Sequence, residues 1–139
     1  MRKIIVYDSG MEIYEIVKTA LQHISVDIEY TTHFSRIIHQ IESKNCAAVI
    51  FNLDKTPEGE TENIELLHII KRIAPDLAVI GAKTERTRGD FYASILKNVT
   101  IVQKTSDIVE FRINILRPLI RSILPSHTKP DIQSPSTPQ

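Results

Sequence analysis

The chain has 139 residues, 42% of them hydrophobic, with 17 basic and 17 acidic side chains and a formal net charge of zero. This length predicts about one domain, and the balanced charge argues against a broad basic surface for nucleic acid or for an anionic membrane. A single cysteine, no signal-peptide pattern and no membrane-spanning apolar run together predict a soluble cytoplasmic protein.

The first predicted strand covers Lys3 to Tyr7, a β-branched apolar run that stops at Asp8. After it, Ser9 and Glu12 have the spacing of a capping box, in which each side chain satisfies a backbone N–H at the start of a helix. Apolar residues then recur at steps of three and four from Ile13 to Ile24, which predicts an amphipathic helix.

The next two predicted strands differ in how deeply they are buried. Val26 to Tyr30 alternate apolar with polar residues, as in a strand near a sheet edge, and Phe34 to Ile41 follow as a short helix. Ala47 to Phe51 form a continuous apolar run, which is typical of a strand buried on both faces. Cys46, just before this run, is predicted to be a small buried group, and Asn52 ends it.

The second half of the chain continues the alternation of helices and strands. The predicted elements are a helix from Ile64 to Ile73 that Pro75 stops, a strand from Leu77 to Ala82, a weak helix over Phe91 to Leu96, a short strand from Val99 to Val102 and a last helix from Ile108 to Ile123. Pro118 lies inside the last helix, where its missing N–H predicts a kink or an early end.

Five strands alternating with five helices predict a doubly wound, five-stranded parallel sheet, the flavodoxin-like three-layer α/β sandwich, over residues 1–124. Residues 125–139 are rich in Pro, Ser and Thr and are predicted to be a disordered tail. In such a fold, sites form beyond the carboxyl ends of the strands at the switch point. The prediction therefore places Asp8, Ser9 and Asn52 in one crevice, with the ends of the fourth and fifth strands beside it.

The order and spacing of four segments resemble the response-regulator receiver domain of two-component signalling, over nearly all of residues 2–124. These segments are Lys-Ile-Ile-Val-Tyr-Asp-Ser at 3–9, Ala-Val-Ile-Phe-Asn-Leu at 48–53 with Pro57 downstream, Leu-Leu-His-Ile-Ile-Lys-Arg-Ile-Ala-Pro-Asp-Leu-Ala-Val-Ile at 66–80, and Ile-Val-Gln-Lys-Thr at 101–105. The resemblance implies the receiver fold and a role in signal transduction, in phosphorelay pathways.

The receiver site, as the resemblance implies it, has two adjacent acids that hold Mg²⁺, an Asp that takes a phosphoryl group, a Ser or Thr, and a Lys followed by Pro. The present chain departs from this pattern at most of these positions. Asp8 fills the first acidic position and Lys104 the lysine position, but the other positions are changed. They hold Ser9 for the second acid, Asn52 for the phosphoacceptor, Lys83 with Thr84 next to it for the hydroxyl residue, and Thr105 for the proline.

These changes predict a degenerate receiver, a pseudo-receiver that is not an enzyme and is not phosphorylated at Asn52, because an amide cannot act as the nucleophile. It would act as a protein-interaction module whose partner is another signalling protein. No cofactor is predicted, and Mg²⁺ is not expected because one carboxylate beside a neutral amide is a poor site. Asp8 and Lys104, with Lys83 nearby, are predicted to form an ion pair that fills the pocket.

Two alternatives remain open from the sequence. In the first, Asp54 serves as the phosphoacceptor with Asp8 and Lys104, in a working receiver. In the second, the chain is a small flavodoxin-like binder of a nucleotide or a flavin, against which the short, glycine-poor loop after the first strand argues. No histidine pair has metal-ligand spacing with a nearby cysteine, so no metal site is predicted.

The resemblance also implies an interaction face made by the fourth helix, the fifth strand and the fifth helix, which allows a homodimer through this face. Aromatic residues are enriched at the centres of protein interfaces. The residues predicted for this face are Phe91, Tyr92, Ile95, Val102, Gln103, Ile108, Phe111 and Ile115.

Overall fold

A computed structural model of the chain describes residues 3–54, 63–84, 99–104 and 107–124. These residues form a parallel five-stranded sheet in the order β2-β1-β3-β4-β5, which confirms the predicted doubly wound topology. The strands are β1 (Lys3–Tyr7), β2 (Asp27–Thr31), β3 (Cys46–Asn52), β4 (Ala78–Lys83) and β5 (Val99–Gln103).

The first three helices lie close to where the apolar spacing predicts them. They are α1 (Glu12–Ala20), α2 (Phe34–Glu42) and α3 (Asn63–Ile73). α1 ends four residues earlier than predicted, although Ile24 beyond it still packs against the same core cluster. The predicted fourth helix and the tail at 125–139 lie outside the described residues.

The C-terminal helix consists of α4 (Ile108–Glu110), a π-helical segment (Phe111–Leu116) and α5 (Arg117–Ile123). The helix therefore continues past Pro118, so that, of the predicted kink or early end, the early end does not occur. Proline lacks the N–H that an α-helix requires, and its ring crowds the carbonyl four residues before it. A widened π turn directly before Pro118 accommodates both effects without breaking the helix.

Alternate residues of the central strands enter two core clusters, one on each face of the sheet. Ile4 and Val6 pack in the cluster that contains residues of α1 and of the C-terminal helix, whereas Ile5 and Tyr7 pack in the cluster with residues of α2 and α3. All of β3 except Ala47 is buried, as its continuous apolar run predicts. Among the described residues, no helix has the length and apolar character needed to cross a membrane.

Candidate functional site

Polar side chains from four strand ends meet at the carboxyl edge of the sheet. Asp8 follows β1, Asn52 ends β3, and Asp54 lies in the turn just after it, while Thr84 follows β4 and Lys104 follows β5. Because the strands are parallel and β1, β3 and β4 are adjacent, these positions share one edge of the sheet. The residues that the sequence predicts for one crevice therefore share this edge, while several of their contacts differ from those predicted.

Asp8 is completely buried, and its carboxylate caps the start of α1. Oδ2 accepts a hydrogen bond from the Ile13 backbone N–H at 2.7 Å, and Oδ1 accepts one from the Gly10 N–H at 3.1 Å. Negative charge at this end of a helix is stabilised by the unpaired N–H groups and by the helix dipole. Burial raises the pKa of the nearby Tyr30 hydroxyl, and the charge of Asp8 raises it further.

The predicted Ser9–Glu12 capping box is wrong, because Asp8 takes the capping role. Ser9 is exposed, and Met11, the residue that precedes α1, has a φ of 66° and no side-chain capping bond. The left-handed backbone at Met11 lets the chain turn sharply between β1 and α1. Glu12 is consequently free to extend across the strand ends towards Asn52.

Asn52 is buried and uses both atoms of its amide in hydrogen bonds. Nδ2 donates to Asp8 Oδ1 at 3.1 Å and to Glu12 Oε1 at 3.3 Å. Oδ1 accepts from Lys104 Nζ at 2.6 Å and from the Asp54 backbone N–H at 3.3 Å. The nitrogen thus faces two carboxylates and the oxygen faces two donors, so this network fixes the orientation of the amide.

Lys104 carries the positive charge at the centre of the site, and its side chain is 10% exposed. Its ammonium contacts Asn52 and forms ion pairs with Glu12 at 3.1 Å and with Asp54 at 2.9 Å. Three acceptors match the three N–H donors of a lysine. The predicted Asp8–Lys104 ion pair is therefore wrong: the Asp8 carboxylate turns towards α1, and the Asn52 amide bridges the two residues.

Thr84, rather than Lys83, faces the site. The Thr84 backbone N–H donates to Asp54 Oδ2 at 3.0 Å and to Oδ1 at 3.2 Å, and its hydroxyl is 3.2 Å from Oδ1. Lys83 Nζ donates to the carbonyl of Thr84 at 3.2 Å and has no ion pair in the described part of the chain. Thr84, the neighbour of the lysine that the resemblance places at the hydroxyl position, therefore makes the hydroxyl contact with Asp54.

Leu53 holds the turn that carries Asp54 against β4. Its backbone N–H donates to the Ala82 carbonyl at 2.8 Å, and its side chain is completely buried. A methyl group added at Gly81 would lie 2.7 Å from Leu53 Cδ1, closer than nonbonded carbons approach. Gly81 therefore makes room for Leu53, and this close packing positions Asp54 beside Thr84.

Glu12 is the site residue that sequence reasoning missed. Its interpretation as a capping residue depended on spacing alone, and its distance in sequence from Asn52 and Lys104 gives no local signal of contact. A charged residue facing the strand ends from the first turn of α1 becomes recognisable once the sheet order is known. Among the described residues, no three His, Cys, Asp or Glu side chains are grouped closely enough to hold a metal ion.

The predicted interaction face is divided between core and surface. Val102 and Phe111 belong to the core, with 9% and 1% exposure, whereas Ile108 is 58% exposed. Gln103 is also exposed, and Ile115 is half-buried against the core. The remaining members predicted for this face, Phe91, Tyr92 and Ile95, lie outside the described residues.

Solved structures share this fold at low sequence identity. The response regulator TrrA from Thermotoga maritima, solved with Mg²⁺-BeF, is 20% identical with a TM-score of 0.63, over 89% of this chain and 100% of that one. A CheY-like receiver domain from Methanospirillum hungatei is 16% identical with a TM-score of 0.65, over 88% of this chain and 94% of that one. The phosphorylated cyanobacterial phytochrome response regulator RcpA is 13% identical with a TM-score of 0.68, over 85% and 90%.

These similarities establish the receiver fold of the chain. No protein-family model and no curated protein matches the sequence.

Proposed function

We propose that this chain is a signalling module of receiver fold that acts by binding another protein and takes no phosphoryl group at Asn52. The observation that carries the proposal is the Asn52 amide at the end of β3, bonded at once to Asp8 and to Lys104. An amide has no nucleophilic oxyanion, and both of its polar atoms are already committed to neighbours. Signal transfer would then depend on association with a partner, without enzymatic turnover.

We further propose that the site does not hold Mg²⁺. The hydrogen bonds of Asp8 support this proposal, because its carboxylate already accepts from two backbone N–H groups and from the Asn52 amide. A divalent cation requires oxygen lone pairs, and Mg²⁺ gives up its water only for a well-formed set of oxygen ligands. The Lys104 ammonium already forms ion pairs with the other two carboxylates, those of Glu12 and Asp54.

Asp54 as a phosphoacceptor is the second candidate, and one observation favours it. Its carboxylate lies beside a lysine ammonium and a threonine hydroxyl, which are groups able to stabilise phosphoryl oxygens. Both oxygens of this carboxylate, however, already accept hydrogen bonds from donors at the ends of β4 and β5, which argues against this candidate.

The alternative of a flavin or nucleotide binder has its own test. A bound flavin or nucleotide would be detected in the absorbance spectrum and the mass of the purified protein.

The proposal is tested by an amide-resolved NMR titration of the full chain with Mg²⁺ and then with beryllofluoride, which mimics an aspartyl phosphate. We expect no saturable shifts at Asp8, Asn52 or Lys104 beyond those caused by salt. The matched variant Asn52→Asp, which restores a carboxylate at the end of β3, is expected to gain Mg²⁺-dependent shifts at these positions. Saturable shifts in the wild-type chain would overturn the proposal.

A further inference from the structure

Within the part of the chain that the structure describes, three hydrogen-bond donors converge on the carboxylate of Asp54. Lys104 Nζ and the Thr84 backbone N–H reach Oδ2 at 2.9 and 3.0 Å, and the Thr84 hydroxyl reaches Oδ1 at 3.2 Å. The donors come from the ends of β4 and β5, whereas the carboxylate comes from the turn after β3. An ammonium, a backbone N–H and a hydroxyl arranged in this way form a general site for an oxyanion.

We infer that Asp54 is a permanent intramolecular ligand of Lys104 and Thr84, which fastens the ends of three strands together and keeps external oxyanions out of this site. The side chain of Asp54 is only 15% exposed and that of Lys104 only 10%, so the pair is largely shielded from solvent. A ligand tethered to the site by its own backbone has a high effective concentration. It therefore competes strongly against a free anion.

The donors are held in place by contacts that do not involve Asp54. Lys104 Nζ also donates to Asn52 Oδ1 and Glu12 Oε1, and its backbone N–H donates to the Lys83 carbonyl at 2.7 Å. This last bond fixes the end of β5 against the end of β4. Removal of the Asp54 carboxylate should consequently leave Lys104 and Thr84 close enough to accept a replacement oxyanion.

Inorganic phosphate is a suitable probe because its oxygens can accept from all three donors. The full chain, as wild type and as Asp54→Ala, is titrated with phosphate at constant ionic strength, and the amide signals of Thr84 and Lys104 are followed by NMR. We expect saturable shifts in Asp54→Ala and at least about tenfold weaker binding in the wild type. The double variant Asp54→Ala/Lys104→Met should lose the binding.

Three results would overturn the inference: no saturable shift in folded Asp54→Ala, equal binding by the wild type, or undiminished binding by the double variant. If Asp54→Ala does not fold, Asp54→Ser is used, and phosphate must raise its thermal midpoint more than chloride does. Absence of that rise also overturns it. The inference does not depend on the proposed partner, because its experiment measures phosphate binding. A negative result would not affect the proposal about Asn52, which the titration with Mg²⁺ and beryllofluoride tests separately.

Discussion

The amide oxygen of Asn52 lies 2.6 Å from the ammonium of Lys104, which joins the end of β3 to the end of β5 across the intervening strand β4. The nitrogen of the same amide points the other way, to Asp8 and Glu12. Only a side chain that donates and accepts can satisfy both sides at once. Asn52 thus acts as the central connector of this polar network.

Replacement of Asn52 by Asp is expected to destabilise the fold by about 1–3 kcal/mol at neutral pH, because buried partners lose a donor. The new carboxylate would face the Asp8 oxygen that now lies 3.1 Å from the amide nitrogen. Mg²⁺ should then raise the thermal midpoint of the variant but not that of the wild type. Urea unfolding and thermal scans with and without Mg²⁺ measure both effects.

Asn45→Asp is the matched control for this change, because Asn45 is exposed and precedes the opposite end of β3. It adds the same charge far from the site and should alter stability by no more than about 0.5 kcal/mol. Equal destabilisation by both variants would contradict the role given to Asn52.

The Asp54–Lys104 ion pair should be energetically coupled. A double-mutant cycle with Asp54→Asn and Lys104→Met is expected to give a coupling energy of about 1–3 kcal/mol, because the two residues are in direct contact within one network. Glu29 pairs with Lys3 and Arg36 instead, so a cycle of Glu29→Gln with Lys104→Met supplies the control. The coupling energy of this control cycle should be near zero. Coupling energies of similar size in both cycles would contradict a direct interaction between Asp54 and Lys104.

Asp8→Ala should destabilise the protein more than Asp107→Ala does, although both residues cap helices. Asp107 is exposed and accepts from Val109 and Glu110 N–H groups, so its loss should cost about 1 kcal/mol. Asp8 is buried and also receives the Asn52 amide, so its loss leaves buried donors unpaired at a cost of about 2–3 kcal/mol. Urea unfolding of both variants, with hydrogen exchange at Ile13, measures the difference, and equal losses would contradict it.

Gly81→Ala is expected to cost about 1–3 kcal/mol through overpacking against Leu53. In a Leu53→Ala background the same change should cost less, because the nearest clashing group is gone and only Ile101 Cδ1, at 3.1 Å from the added Cβ, remains tight. Gly10→Ala is the control, since an added Cβ there has no neighbour within 4 Å. Chemical unfolding of the four variants measures these costs, and a cost of Gly81→Ala that is undiminished without the Leu53 side chain would contradict the packing explanation.

Glu29 should contribute stability that depends on pH. The Arg36 hydrogen bond, followed in effect by the contacts with Lys3, holds the pKa of Glu29 below its ordinary value of 4.5, although burial opposes this. A carboxyl whose folded pKa is depressed stabilises fully above its unfolded pKa and loses this contribution as the pH falls through the folded value. Glu29→Gln should therefore cost about 0.2–1 kcal/mol at pH 7 and much less in acid. Unfolding at several pH values tests this, and a cost independent of pH would contradict it.

The fold could be predicted from the sequence because its signals are local and repeated. The apolar run that became β3 and the 3- and 4-residue spacing of α1 to α3 each identify an element without tertiary information. The path around Pro118 could not be predicted in this way. A proline removes one α-helical bond, but whether the helix ends or widens depends on packing, here including the bond from Arg117 Nε to the Ala20 carbonyl.

The sequence indicates which polar residues share one edge of the sheet but not how they pair. Strand ends fixed the neighbourhood of Asp8, Asn52 and Lys104, because parallel strands end at one edge. The choice of partner for each charge depends on rotamers and on small backbone turns, such as the left-handed Met11 that redirects Glu12. The spacing of residues in the sequence therefore does not indicate which charged side chains pair.

The most direct test of the central claim is the intact mass of the full chain after incubation with acetyl phosphate and Mg²⁺, with an Asp-containing receiver domain as the control for the reagent. The account predicts no added phosphoryl group, because Asn52 has no nucleophile and Asp54 is bound by Lys104 and Thr84. A mass increase of one phosphoryl group that disappears in Asp54→Asn would contradict it and would identify a working receiver.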